Sequence, residues 1–100
     1  MNYGLRDQDI SSLRAVFARY RAITTVMLYG SRARNTYKPY SNINFALKGA
    51  NITDELLERI EEDLDDLLLP FKIDLKNFNA INDLEQKTEI MSFGTVFYQA

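Results

Sequence analysis

The sequence predicts a single α+β domain, and three observations support this fold class. Two segments, residues 7–20 and 54–69, place apolar side chains at the spacing of an amphipathic helix. Three others, residues 24–29, 42–48 and 71–78, are rich in β-branched residues or alternate between apolar and polar positions, as strands do. The chain has 100 residues, of which 46% are hydrophobic and 26% charged, and this suits one small globular domain.

The first two predicted elements are a helix and a strand. Apolar residues of segment 7–20 recur at helical spacing, and an Asp at position 7 or 9 can cap the free amides at its start. The strand over 24–29 is apolar enough to be buried on both faces, and it ends at Gly30. Residues 31–40 are rich in turn formers, although residues 32–34 could form one helical turn.

The strand over 42–48 alternates, so that Asn42 and Asn44 point to one side with Ala46, and the large apolar residues point to the other. Residues 49–51 form a turn, and Thr53 is a good cap for the helix over 54–69, whose many acidic residues we expect to be solvated. Pro70 ends that helix.

The strand over 71–78 carries Asp74 in its middle, where a carboxylate is costly to bury without a partner. Residues 81–92 can form a last helix, with Leu84, Ile90 and Met91 as its apolar contacts, and residues 95–98 are a short aromatic end. The predicted order is therefore helix, strand, turn, strand, helix, strand, helix.

Composition excludes several kinds of chemistry. The chain has no Cys and no His, which excludes disulfides, thiolate catalysis and the usual zinc ligands, so a metal site would need oxygen ligands and would suit Mg²⁺. The first 48 residues carry a net charge of +6 and the rest −8, which indicates either an anionic partner or attraction between the two halves. Without a long apolar stretch or a signal-peptide core, we expect a cytoplasmic location and no membrane.

Polar residues converge where the predicted strands meet. Gly30 lets a ligand approach the backbone, and Ser31 can hydrogen-bond a phosphate with help from three basic residues, Arg32, Arg34 and Lys38. Asn42, Asn44 and Asp74 lie on neighbouring strands. A serine nucleophile is excluded because the chain has no histidine to accept its proton. These residues favour a phosphate-binding site.

Three segments resemble a known family: LYGSRAR at 28–34, YKPYSNIN at 37–44 and IDL at 73–75. They are similar in order and spacing to GSRARG, YRPGSDID and VDL of the minimal nucleotidyltransferases, the MntA-like antitoxins of the DNA polymerase beta-like superfamily. The resemblance implies a small mixed β-sheet flanked by helices, with the Gly-Ser loop over the triphosphate of a nucleotide. It also implies three strand carboxylates that hold two Mg²⁺ ions, at positions 42, 44 and 74.

Two of those three positions depart from the family pattern. Asn42 and Asn44 each offer one neutral carbonyl oxygen where Asp offers two anionic ones. Because Mg²⁺ prefers charged oxygens, we expect strongly impaired nucleotidyl transfer. Either the amides were introduced to inactivate the enzyme, which we favour, or the protein is a natural degenerate member that binds without catalysis. Asn35 also replaces a glycine that is frequent in the family, although Asn tolerates positive φ.

The resemblance implies an antitoxin that transfers AMP from ATP to a HEPN-type ribonuclease toxin with Mg²⁺. The alternative is a binding module that neutralises this partner by occlusion. Transfer to a small molecule or to RNA is a weaker alternative, because larger relatives use a second domain for it. Five aromatic residues could anchor an interface or belong to the core: Tyr37, Tyr40, Phe93, Phe97 and Tyr98.

Overall fold

The computed structural model describes residues 2–100, and within them it has four helices and four strands. The helices are α1 (Asp7–Ala18), α2 (Ser31–Arg34), α3 (Asp54–Asp65) and α4 (Leu84–Phe93). The strands are β1 (Thr25–Tyr29), β2 (Ile43–Lys48), β3 (Ile73–Asn77) and β4 (Thr95–Gln99). A short 3-10 helix, Phe78–Ala80, follows β3.

The four strands form one mixed sheet in the order β3-β2-β1-β4. Strand β1 is antiparallel to both of its neighbours, β2 and β4, whereas β2 and β3 run parallel. The parallel pair needs a crossover connection, and α3 supplies it. The α+β class and the mixed sheet flanked by helices are therefore confirmed.

Helices α1 and α3 share one core with one face of the sheet. There Phe17 of α1 meets Phe45 of β2 edge to face, with ring centroids 5.1 Å apart, and Ile60 and Leu64 of α3 complete the cluster. The opposite face is smaller: Met27, Tyr29 and Ala46 of the sheet pack against Ile81 and against Ile90 of α4. Strand β1 is thus buried on both faces, as predicted.

Strand β4 was not predicted, since residues 95–98 looked like a short aromatic end. These residues pair with β1 at an edge of the sheet, and Phe97 is only 2% exposed. Its ring lies 4.9 Å from that of Phe45, so Phe97 is a core residue and not an interface anchor. Five residues at the end of a chain carry too little periodicity to separate a strand from a loop.

Both later helices are shorter than predicted. Helix α3 ends at Asp65, and Leu68 is 87% exposed with a φ of 55°, so Leu68 does not join the apolar stripe. Pro70 disfavours helical backbone at the residue before it, which contributes to this early end. Helix α4 begins at Leu84, because the Asp83 side chain caps it by accepting from the Glu85 amide at 3.0 Å.

The apolar contacts predicted for the last helix also need correction. Ile90 is fully buried, as predicted, but Leu84 is 76% exposed and Met91 is 55% exposed. Ile81 precedes the helix and packs on the sheet instead. Helix α4 therefore leaves apolar side chains on its outer surface.

The predicted caps have different outcomes at the two long helices. Thr53 caps α3, because its hydroxyl accepts from the Leu56 amide at 3.1 Å. Neither Asp7 nor Asp9 caps α1, whose N-cap residue is Arg6, and the Arg6 side chain makes no capping hydrogen bond to the helix. Asp9 instead accepts from the Arg6 guanidinium at 3.0 and 3.2 Å, and this hydrogen bonding lowers the pKa of the Asp9 carboxyl. No helix in residues 2–100 is long and apolar enough to cross a membrane.

Helices α1 and α3 are linked by a hydrogen bond from the hydroxyl of Tyr20, just beyond α1, to the carboxylate of Asp63. Burial, and then this hydrogen bond, raise the pKa of Tyr20 to about 12. Because the folded-state pKa lies above the unfolded value of about 10, the stabilisation is present below pH 10 and is lost as the pH rises through 12.

We therefore expect Tyr20→Phe to be less stable than the parent chain at pH 7, and we expect the difference in unfolding free energy to vanish between about pH 10 and 12. Urea unfolding followed by circular dichroism at pH 7, 10, 11 and 12 measures this difference. A difference that stays constant up to pH 12 would contradict the expectation.

Candidate functional site

The candidate site is a row of side chains across three strands, at the end of the sheet where β1 ends. Tyr29 lies opposite Asn44 in the β1–β2 pairing, and Asn44 lies opposite Asp74 in the β2–β3 pairing. Residues directly opposite one another share a face of the sheet, and here it is the face that α4 covers. We call Tyr29, Asn44 and Asp74 the polar row. Asn42, one residue before β2, is exposed and lies on the same side by alternation.

Gly30 joins the polar row to the predicted phosphate loop. Its φ of 84° is in the region that favours glycine, and a Cβ at this position would lie 2.7 Å from Nδ2 of Asn44. The backbone conformation therefore favours glycine, whereas the Asn44 amide could move to make room for a Cβ. The Asn44 amide packs directly over the loop, so positions 30 and 44 are spatial neighbours.

Ser31 opens the one-turn helix α2 immediately after Gly30. The carbonyl of Gly30 accepts from the amides of Ala33 and Arg34, both at 3.1 Å. The amides of Ser31 and Arg32 precede this first helical hydrogen bond, as the first amides of any helix do. Asn35 ends the turn in the left-handed conformation with a φ of 63°, so the Asn in place of a glycine keeps the geometry.

Arg32 does not fit the predicted phosphate role. Its side chain is 2% exposed, and it donates to the carbonyl of Tyr3 at 3.0 Å and to that of Ser41 at 2.8 and 3.1 Å. The guanidinium also lies over the ring of Phe71, 4.6 Å from its centroid, and near that of Tyr37. Burial lowers the pKa of Arg32. The Arg32 side chain holds the loop against the rest of the domain. It is therefore no longer a candidate phosphate ligand.

The other basic residues of the predicted site are exposed. Arg34 lies over the ring of Phe93, 4.2 Å from its centroid, and Lys38 is in the loop before β2. The structure adds Lys72, whose carbonyl accepts from the Ile43 amide at 2.9 Å and which therefore adjoins Asn42. Alternation along β3 places Lys72 on the side of Asp74. The sequence shows that Lys72 and Asp74 alternate with apolar residues, but it contains no motif that links Lys72 with phosphate binding.

The hydroxyl of Tyr29 is buried and has no hydrogen-bond partner within residues 2–100. Burial first, and then the charges of Asp74 and Glu89, raise the pKa of Tyr29 to about 12. Glu89 belongs to α4, so this helix brings a second carboxylate to the polar row. Sequence reasoning missed both Tyr29 and Glu89, because neither belongs to a motif that points to phosphate or metal.

The Tyr29 hydroxyl without a partner leads to a prediction about the free energy of unfolding. A buried polar group without a partner costs about 1 to 3 kcal/mol, so Tyr29→Phe should raise the free energy of unfolding by about 1 kcal/mol. Thermal and urea unfolding of the two proteins measure the change. A loss of stability in Tyr29→Phe would show that an ordered water or another group satisfies this hydroxyl in solution.

The donor set at the polar row does not fit two divalent cations. It offers the carboxylate of Asp74 and the neutral amides of Asn42 and Asn44, whereas Mg²⁺ is bound through carboxylates and phosphates. Residues 2–100 contain no group of three His, Cys, Asp or Glu side chains that could hold a metal ion. We therefore derive no catalytic step through Mg²⁺ for this chain.

Asn44 and Asp74 of the polar row are half-buried, beside the exposed Asn42 and the Gly30 loop. Two cavities of about 310 and 330 Å³ lie elsewhere, one lined by Asp54, Asn77 and Asn82 and the other by Tyr3 and Arg14 among others. A ligand at the polar row would therefore be held on one side by the sheet and the Gly30 loop.

Solved structures share this fold across nearly the whole chain. A toxin–antitoxin complex with AMP-PNP superposes with a TM-score of 0.73 at 16% identity, covering 96% of this chain and 75% of that one. A MntA-HpeT toxin–antitoxin mutant gives 0.69 at 15% identity with the same coverage. An MNT antitoxin complex with the tri-AMPylated HEPN toxin of Shewanella oneidensis gives 0.72 at 11% identity, covering 96% and 74%.

None of the curated protein sequences compared with this chain matches it. The family model described as "Polymerase beta, Nucleotidyltransferase" matches residues 11–100, which include the Gly30 loop and all of the polar row. The match extends over nine tenths of the sequence, and the mixed sheet agrees with it. The chain belongs to the polymerase beta nucleotidyltransferase family.

Proposed function

We propose that this chain is a nucleotidyltransferase-fold antitoxin that binds ATP at Gly30 and Ser31 and neutralises a HEPN-type ribonuclease toxin. The observation that carries the proposal is the geometry of the Gly30 loop, which is kept intact beside the polar row. Proteins of the same fold occur with AMP-PNP and with an AMPylated HEPN toxin, which supports ATP and such a toxin as ligands.

The reaction that the fold supports is transfer of AMP to a tyrosine of the toxin. The tyrosine hydroxyl oxygen bonds to the α-phosphorus of ATP and loses its proton to solvent, while the bond from that phosphorus to the bridging oxygen breaks and pyrophosphate leaves with the bonding electron pair. Carboxylates at positions 42, 44 and 74, as the family resemblance implies, would hold two Mg²⁺ ions that supply the electrostatic stabilisation such transfer needs, but the amides at 42 and 44 of this chain do not fit these ions. Since two of those positions are amides, we propose that this chain performs the transfer weakly.

The exposed basic residues have defined roles in this proposal. Arg34 and Lys38 would contact the triphosphate together with the loop amides, whereas Arg32 would only hold the loop in place. Lys72 would join them from the far side of Asn42. The cationic loop would thus receive an anionic ligand, while the acidic outer surface of α3 stays solvated.

Neutralisation by occlusion is a second candidate, and two observations favour it. The amides at 42 and 44 weaken metal binding, yet the fold and the loop remain intact. In addition, Met91, Phe93 and Val96 are each about half exposed near the end of α4, which gives an apolar surface for a partner. An antitoxin that acts in this way needs neither ATP nor transfer.

A ribonuclease assay with a cognate HEPN-type toxin tests the function. We expect the chain to suppress RNA cleavage, and a preincubation with and without ATP separates modification from occlusion. Suppression that survives removal of ATP by gel filtration, without an AMP adduct on the toxin, would favour occlusion. Undiminished cleavage at excess antitoxin would contradict both forms of the proposal.

A further inference from the structure

The amides at positions 42 and 44 change which form of a nucleotide the site can hold. We propose that this chain binds a nucleoside triphosphate that carries no divalent cation. The inference rests on the proposed nucleotide site and specifies its ligand. It follows from the misfit between the donor set and two Mg²⁺ ions.

The first argument concerns hydrogen bonding. A carboxylate only accepts hydrogen bonds, whereas an Asn amide also provides two N–H donors. Nδ2 of Asn44 packs over Gly30, and within residues 2–100 the side chains of Asn42 and Asn44 make no hydrogen bond to protein. Their amide groups are therefore free to donate to phosphate oxygens at the loop.

The second argument concerns charge. Around the loop and the polar row lie four cations and two carboxylates, which are those of Arg32, Arg34, Lys38, Lys72, Asp74 and Glu89. With Asn at 42 and 44 the cations outnumber the carboxylates, so a free triphosphate meets a favourable field. With Asp at both positions the carboxylates would equal the cations in number and would lie beside the phosphates, so a metal ion between the triphosphate and these carboxylates would be favoured.

Isothermal titration calorimetry with ATP tests the inference, in EDTA and in excess Mg²⁺. Three proteins are compared: the parent chain, the double variant Asn42→Asp with Asn44→Asp, and a charge-matched control, Asn51→Asp with Asn82→Asp. The control adds the same two charges at the opposite end of the sheet, beyond β2 and before α4. At ~0.15 M salt the Debye length is about 8 Å, so these charges are screened from the polar row.

We expect the parent chain and the control to bind ATP in EDTA with equal affinity, and Mg²⁺ not to strengthen that binding. The double variant should bind ATP in EDTA at least about tenfold more weakly, since each added charge near the phosphates costs roughly fivefold even in water. Excess Mg²⁺ should restore its binding.

Two results would overturn the inference, and they have different meanings for the proposed function. ATP binding by the parent chain only with Mg²⁺ would reject a metal-free ligand and leave the nucleotide site in place. No ATP binding by any of the three proteins in either buffer would reject the inference and the nucleotide site together. Circular dichroism of each protein confirms that it is folded before titration.

Discussion

Arg32→Ala is expected to lower the free energy of unfolding by about 3 to 5 kcal/mol. The change removes one of the largest fully buried side chains and leaves the carbonyls of Tyr3 and Ser41 without their donors. It also removes the guanidinium that lies over Phe71. Because a domain of this size is stable by only about 5 to 15 kcal/mol, a large part of the folded population could be lost. Urea unfolding followed by circular dichroism measures the effect.

The matched control is Arg34→Ala, two residues along in the same one-turn helix. Arg34 is exposed, so its replacement should change the free energy of unfolding by less than about 0.5 kcal/mol. Arg34→Ala should instead weaken ATP binding, and the protein should stay folded. A stable Arg32→Ala protein with a selective loss of ATP affinity would contradict the structural role and return Arg32 to the phosphate site.

Replacing Asn42 and Asn44 together with Asp is expected to raise the rate of AMP transfer to the toxin by at least about a thousandfold in the presence of Mg²⁺. At an effective dielectric constant of about 20, one charge pair at 4 Å contributes about 4 kcal/mol, which corresponds to about a thousandfold in rate. The parent chain should show transfer near the background. Intact-mass spectrometry of the toxin over time gives both rates.

Asp74→Asn in the double-Asp background is the control for this gain. It removes the third carboxylate, which lies opposite position 44 in the β2–β3 pairing, and should return the rate to that of the parent chain. If the double-Asp variant transfers no AMP to any candidate toxin, the catalytic part of the proposed function fails. Neutralisation by occlusion would then be the surviving form.

Much of the fold was predictable because the main elements carry strong local patterns. Periodicity predicted α1, α3 and the first three strands, and Thr53 was correctly identified as a cap. Strand β4 was missed, because an edge strand of five residues owes its structure to pairing with β1 and not to its own sequence. The end of α3 was misplaced because Leu68 is exposed and adopts a positive φ shortly before Pro70. The start of α4 was misplaced because Ile81 packs on the sheet and Asp83 caps the helix after it.

The site was predictable in part. Its motif residues were found because Gly30, Asn44 and Asp74 belong to segments with recognisable spacing, and the strand pairing brings them together. The role of Arg32 could not be predicted from the sequence. A basic residue beside a candidate phosphate loop can bind phosphate or can be buried and hold the loop in place, and only its burial distinguishes these two roles. Glu89 could not be assigned either, because only the packing of α4 brings it near Tyr29.

We propose that the Gly30 loop and the polar row form the nucleotide site. Titration of the ¹⁵N-labelled chain with ATP, followed by heteronuclear NMR, tests it residue by residue. We expect the largest shifts on the amides of Gly30 and Ser31 and on the side-chain amide of Asn44. Shifts concentrated instead at Asn77 and Asn82, which line the cavity at the other end of the sheet, would contradict it.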